Sequence, residues 1–398
     1  MTQDNIPKDA SKTDVKESID YNALAVELHS HYHGKIETSL RHNGVLTRDE
    51  LSAYYTPGVG HISSLIADNP SLLREYTWTR NLVAVISDGS AVLGLGDIGP
   101  KASMPVMEGK ALLFKHFAGL DSVPIVLDCD STEEIIETIE RISSSFGAIN
   151  LEDFAAPKCF EIEDALRRSL SIPVFHDDQH GTAVVVLAAL INACKVTNRE
   201  LNDLSMVIAG IGAAGTATAR LVKQYAPQLR IVGTGRNGTL TLEDDSLNAA
   251  KRSLFEGAVL EDIGTKTLEE AMKGTDIFIG LSAPGIVSAE MVRSMNAEPI
   301  IMALSNPVPE IYPAEARAAG AGVICTGRSD FPNQVNNALA FPGIFKGALD
   351  KGLPAITEEH KMKAAIAIAD FVKNPSEDEV IPSIFEEGLA GAIAEVIV

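Results

Sequence analysis

Two pairs of adjacent acids are the residues best suited to do chemistry: Glu152-Asp153 and Asp177-Asp178. Each follows a short apolar run, Ala148 to Leu151 in the first case and Ile172 to Phe175 in the second. Runs of that length read as buried strands. The stretch Val174 to Leu187, VFHDDQHGTAVVVL, leads into a long apolar segment, Thr182 to Cys194, that reads as a helix. The second pair therefore sits where a strand gives way to a helix, the edge at which α/β proteins bind ligands. Taken alone, it reads first as an acidic cap on that helix. Two pairs leaving parallel strands in the same sense change the reading, because four converging carboxylates repel one another and favour a divalent cation. Donors that are all oxygen point to Mg2+ or Mn2+ rather than Zn2+.

Other residues could act beside them. Lys110 falls in a helix expected over Pro105 to Phe117, near its first turns, where the dipole slightly favours a neutral amine. The alternative is a solvated lysine. Tyr55 stands just before Thr56-Pro57-Gly58, a turn signal that suits either a structural or a catalytic tyrosine. Gly210-Ile211-Gly212-Ala213-Ala214-Gly215 follows a strand, Met206 to Ala209, and opens a helix, Thr216 to Tyr225. That is the setting the dinucleotide fingerprint requires, and it makes Gly210, Gly212, Ala213, Ala214 and Gly215 the pyrophosphate-facing candidates. No Asp or Glu lies between Gly215 and Glu243 to read a ribose, while Arg236 stands where a 2′-phosphate could be met. Ser282 and Asn306 follow the strands expected over Asp276 to Leu281 and Pro299 to Leu304, again at the ligand edge. Asn306 reads equally as a turn residue. His29, His31 and His33 fit one helix face poorly and read as surface histidines.

Strands and helices alternate between these positions. Leu82 to Ile86 reads as a buried strand and Ala91 to Leu93 as another, joined by a hairpin-like turn at Asp88-Gly89. Val123 to Leu127 is an expected strand. Thr132 to Ile142 is a helix capped by Ser131, and Cys159 to Leu170 is another helix. Thr47-Arg48-Asp49-Glu50 is a capping-box pattern, and Thr357 to Val372 and Ile384 to Val396 read as closing helices. The alternation implies parallel βαβ units. The expected fold is α/β, with a flexible arm over 1–20, an N-terminal α/β substrate and metal domain over 21–180, and a Rossmann-type doubly wound domain over 181–398.

Length and composition bound the function. The chain has 398 residues, 45% hydrophobic and 22% charged, as in an ordinary globular protein. A net charge of −21 argues against nucleic acid or an anionic membrane as partner. Cys129, Cys159, Cys194 and Cys325 form no paired motif and read as free thiols in a reducing compartment. The N-terminus lacks a signal-peptide core, and no uninterrupted apolar run reaches the ~18 residues of a membrane span, so a cytoplasmic protein is expected.

Assembled in order, the motifs resemble malic enzymes of the short bacterial type. They are YTPGV from Tyr55, SDGSAVLGLGDIGP from Ser87, PVMEGKALLFKHFAG from Pro105, INLEDF from Ile149, FHDDQHGTA from Phe175, ALSNP from Ala303 and NNALAFPGIF from Asn336. The resemblance runs from about Tyr21 to the C-terminus. It implies oxidation of L-malate with NAD or NADP and decarboxylation to pyruvate and CO2, aided by Mg2+ or Mn2+. Carried over, Glu152, Asp153 and Asp178 match the metal ligands, and Asp177 an acid that supports proton transfer. Lys110 matches the general base, and Tyr55 the general acid. Asn306 and Asn337 match contacts to substrate or nicotinamide. A base lysine needs a lowered pKa. Ser90-Ala91-Val92 stands where larger members carry a malate-binding arginine. A homodimer is expected from the resemblance. A malolactic-type enzyme releasing lactate and a non-catalytic nucleotide sensor are the competing readings; the presence of Tyr55, Lys110 and all four acids favours an enzyme.

Overall fold

The computed structural model describes residues 20–42, 44–92, 94–244 and 247–398. The arm expected over 1–20 lies outside them except for Asp20, which caps the helix Tyr21–Tyr32 through the backbone N–H groups of Asn22 and Ala23. The chain divides into a short unit ending at Ser39 and a second, Leu40 to Val398, that holds both sheets.

The first sheet is built from β1 (Leu82–Ser87), β2 (Asp121–Val126), β3 (Ala148–Leu151) and β4 (Val174–His176), in the order β2-β1-β3-β4. All its pairs are parallel. β1 is buried along its whole length, which is why it reads as an unbroken apolar run rather than an alternating one. The second sheet comprises β5 (Ser205–Ala209), β6 (Arg230–Gly235), β7 (Gly238–Thr239), β8 (Ile277–Gly280), β9 (Ile300–Ala303) and β10 (Val323–Thr326). Its order is β10-β9-β8-β5-β6-β7, parallel except for the β6–β7 edge. Strand order reverses on either side of β5, and in open sheets ligands bind at that switch point.

The apolar helix Thr182–Val196 joins the two sheets. Every residue from Ala183 to Cys194 is buried, and one hydrophobic core runs from Val83 and Val85 through this helix to Met206 and Ile208. A helix apolar on all sides is stable only inside such a core. Its one polar interior residue, Asn192, donates from Nδ2 to the carbonyls of Ala369 and Val380, at 2.8 and 3.0 Å.

Three local expectations are corrected. Asp88-Gly89 does not open a hairpin, and Ala91 and Val92 form no strand; Val92 makes one antiparallel bridge to Gly96, and Leu93, the last residue of the expected strand, lies outside the described residues. The reason is topological: both edges of β1 are already taken by β2 and β3, so nothing remains for a third partner. The following helix begins at Gly99, not Pro105, and runs to Ala118. Lys110 is consequently mid-helix, where the helix dipole no longer favours a neutral amine. The helices Gly58–Asp68 and Phe341–Lys351 and the strand β10 were not read from the sequence.

All four cysteines are free thiols, and Cys159, Cys194 and Cys325 are buried. Burial pushes the pKa of each of these three up to about 12. Since the thiolate is the nucleophile, iodoacetamide at about pH 8 should leave the three unlabelled in the folded protein and label them after denaturation. Peptide mass mapping checks this, and rapid labelling of Cys325 in the native protein would contradict the burial.

Candidate active site

β3 and β4 lie side by side in parallel, with Leu151 opposite His176. Glu152-Asp153 and Asp177-Asp178 therefore leave the same edge of one sheet on neighbouring strands. Single carboxylate oxygens of Glu152, Asp153 and Asp178 lie within 4.8 Å of one another. The Asp153 backbone N–H donates to Asp178 Oδ2 at 2.8 Å, which ties the two loops together. Asp153 has φ of 56°, a left-handed conformation that side-chain-bearing residues adopt at some cost. Burial raises the pKa of Glu152 well above its ordinary value despite Lys110. Burial and then Asp178 raise Asp153 to about 7. Asp153 Oδ2 is buried without a hydrogen-bond partner. An oxygen-only donor set with an unpaired buried oxygen fits a hard divalent ion.

Lys110 faces this cluster. Its Nζ donates to Asp177 Oδ2, lies 3.0 Å from Glu152 Oε1 and 3.3 Å from Asn337 Oδ1, and sits 4.8 Å from the Phe341 ring centre. Burial acts to lower its pKa, but Asp177, Glu152 and Asp178 outweigh that and hold the ammonium above its ordinary value. The lowered pKa expected of this lysine is thus not a property of the protein alone. Breaking a buried pair of this kind typically costs about 3–5 kcal/mol.

Asp177 begins a single π-helical turn, Asp177–Gly181, that runs into the core helix. A Cβ on Gly181 would fall 1.9 Å from Asp177 Oδ1, so glycine is what allows this aspartate its place. The turn after β1 is locked to the loop after β3. Asp88 accepts from Lys158 Nζ and from Ser90 Oγ, Ser90 Oγ accepts from the Ala155 N–H at 2.9 Å, and the Ala91 N–H donates to the Asp153 carbonyl at 3.0 Å. Lys158 supplies a cation beside Ser90-Ala91-Val92, and nothing in its sequence neighbourhood singled it out.

On the second sheet, the fingerprint glycines take distinct tasks. Gly210 has φ of 99°, and a Cβ there would meet the Leu281 carbonyl at 2.5 Å. A Cβ on Gly215 would meet the Gly210 carbonyl at 2.1 Å, so this glycine sets the helix–strand approach. Around Gly212 the space is open, as required where a pyrophosphate nears the backbone. The helix Ala213–Tyr225 starts there with no side-chain cap, leaving the N–H groups of Ala213 and Ala214 for a ligand. Arg236 is exposed in the β6–β7 turn. Ser282 and Ser305 donate their N–H groups to the two oxygens of Glu310, at 3.2 and 3.0 Å. That wholly buried carboxylate, unremarked in the sequence, aligns the loops bearing Ser282 and Asn306. Asn306 is half-buried and donates weakly to the Gly327 carbonyl at 3.4 Å. Tyr55 is not among the partners of Lys110: it ends the helix Arg48–Tyr54 and is 70% exposed.

The profile described as malic enzyme, N-terminal domain, matches residues 33–167, and that described as malic enzyme, NAD binding domain, matches residues 179–394. The chain belongs to the malic enzyme family. An NAD-dependent malic enzyme of Geobacillus stearothermophilus is 48% identical, over 92% of this chain and 77% of its own length. A bifunctional malic/malolactic enzyme of Bacillus subtilis is 44% identical, over 94% and 91% respectively. The crystal structure of an NAD-dependent malic enzyme from Thermotoga maritima superposes with a TM-score of 0.89 at 44% identity, covering 94% of this chain and 98% of that one. Within this malic enzyme scaffold, the resident dinucleotide is a nicotinamide cofactor.

The carboxylate cluster generates a pH prediction. Asp153, held protonated up to about pH 7, must release its proton before a cation can replace it. Mn2+ affinity measured by calorimetry should therefore rise as the pH is taken from about 6 to about 8. An affinity flat across that range would remove Asp153 from the set.

Proposed function

We infer that this protein catalyses the NAD(P)-dependent oxidative decarboxylation of L-malate to pyruvate and CO2. The observation that carries the reading is the juxtaposition of Lys110 with Asp177 beside the Glu152, Asp153, Asp178 cluster. We assign those three carboxylates to a divalent ion, Mg2+ or Mn2+. A divalent ion held there would supply Lewis-acid polarisation of the hydroxy acid, and the nicotinamide cofactor would supply the hydride acceptor.

The chain's own groups handle the protons. Lys110 Nζ and Asp177 Oδ2 share a hydrogen bond, so the pair takes the C2 hydroxyl proton as a unit. Asn337, 3.3 Å from Nζ, orients the lysine and offers its amide to the substrate. Tyr55 returns a proton to C3 after CO2 has left. Arg236 gives the cofactor site tolerance for a 2′-phosphate. Asn306 and Ser282 line the nicotinamide side.

The assembly we propose is a homodimer, in which Tyr55 is offered to a second copy. Its exposure supports this, as does that of Leu51, Tyr54 and Val59 beside it. The malolactic alternative has one specific support, the dual activity in the name of the Bacillus subtilis relative.

Purified protein given L-malate, Mn2+ and NAD or NADP should reduce the cofactor and form pyruvate. Lactate without accumulation of reduced cofactor would establish the malolactic reading instead. Lys110→Ala should lower kcat by about 10²–10⁴-fold while dinucleotide binding is retained. Mixing Tyr55→Phe with Lys110→Ala tests the shared site: random exchange of subunits should restore about a quarter of parental activity. Mixtures as inactive as their components would place Tyr55 with Lys110 of its own chain.

A further inference from the structure

Behind the turn that carries Asp177 and Asp178 lies a second buried charged cluster. Glu163, on the helix Lys158–Ser169, is 4% exposed. It accepts from Gln179 Nε2 at 3.1 Å, and its two oxygens lie 2.8 and 2.9 Å from His180 Nε2. On the other side of the imidazole, His180 Nδ1 is 2.9 Å from Lys361 Nζ, which also donates to Glu358 Oε1 at 2.6 Å. The Lys361 side chain is 2% exposed. An ammonium can only donate, so His180 accepts at Nδ1 and carries its proton on Nε2, toward Glu163. The direction of the whole chain is thereby fixed, from Lys361 through His180 to Glu163.

The turn Asp177–Gly181 is held from both sides. Asp177 and Asp178 face Lys110 and the carboxylate cluster, while the next two residues, Gln179 and His180, are gripped by one carboxylate of a different helix. Buried ionic groups add little stability over apolar residues of the same volume. Their use here is directional: two hydrogen bonds on consecutive residues fix the rotation of a turn. We propose that Glu163, His180 and Lys361 are positioning residues that hold this turn against the mutual repulsion of the acids, and so set the affinity for the divalent ion. The inference rests on the assignment of Glu152, Asp153 and Asp178 as its ligands.

Mn2+ binding to the purified enzyme, followed by electron paramagnetic resonance, tests it without relying on turnover. Glu163→Gln should weaken Mn2+ binding about 10-fold or more, the scale seen when groups orienting metal ligands are removed. Gln179→Leu, which leaves every charge in place, should weaken it less but in the same direction. Lys361→Arg should keep the parental affinity where Lys361→Met loses it. Dinucleotide affinity should be unchanged in all four. A general loss of stability would lower Tm and leave the Mn2+ dissociation constant alone. Parental Mn2+ affinity, within about twofold, in folded Glu163→Gln, or in Gln179→Leu should Glu163→Gln not fold, overturns the proposal. Absence of Mn2+ binding by the unsubstituted protein would instead overturn the ligand assignment, and the proposal with it.

Discussion

Mutual repulsion among carboxylates at one sheet edge is the constraint on which the rest of the site depends. β3 and β4 are parallel neighbours, so whatever follows them emerges side by side, and here each is followed by two acids. Like charges brought together in a buried setting must be protonated, paired or coordinated. All three outcomes are present in the same few residues. Asp153 is pushed up to about 7, Asp177 is paired with Lys110, and the oxygens of Glu152, Asp153 and Asp178 are arranged as a donor set. Gly181 beside Asp177 Oδ1 and the left-handed backbone at Asp153 are local concessions to that arrangement.

The second sheet answers a different requirement, which is to hold the nicotinamide cofactor of the NAD binding domain. It is joined to the first sheet by the core helix Thr182–Val196, whose first residues continue directly from the π-helical turn. The same helix shares one hydrophobic core with Val83 and Val85 of the first sheet and Met206 and Ile208 of the second. The turn with the acids and the strand before the fingerprint are consequently anchored to one rigid element. Glu310 does for the loops after β8 and β9 what the fingerprint glycines do after β5: it fixes backbone direction at the ligand edge.

Much of this was legible in the sequence because the signals were local. An apolar run followed by paired acids, or by glycines at fixed spacing, reports both the strand and what leaves it. The apolar runs mark strands β3, β4, β5, β8 and β9 to within a few residues, and Ser131 caps its helix as the pattern requires. What was missed depends on contacts remote in sequence. Nothing around Glu163 marks it as the partner of Gln179 and His180, and Lys361 lies on a helix formed far later in the chain. Ala91–Leu93 failed for the opposite reason: its local β signal was real, but topology left it no edge. The start of the Gly99–Ala118 helix was hidden by Pro105, which reads as a helix start yet lies inside one.

The lysine shows why residue type and pattern do not settle chemistry. A base must give up its proton near neutral pH, and the sequence reading asked for a lysine with a lowered pKa. The protein does the reverse, because Asp177, Glu152 and Asp178 together outweigh the burial of Nζ. The two facts are reconciled by the inequality of those carboxylates. Glu152 and Asp178 belong to the group of carboxylates that could hold a metal ion, and a cation there would offset their negative field at Lys110. Asp177 lies outside the set and stays bonded to Nζ. What remains is a one-to-one pair of a buried amine and a buried carboxylate, whose own pKa burial raises. Such a pair titrates as a unit, and in the proposed mechanism it would take a proton from a hydroxyl without requiring an isolated neutral lysine.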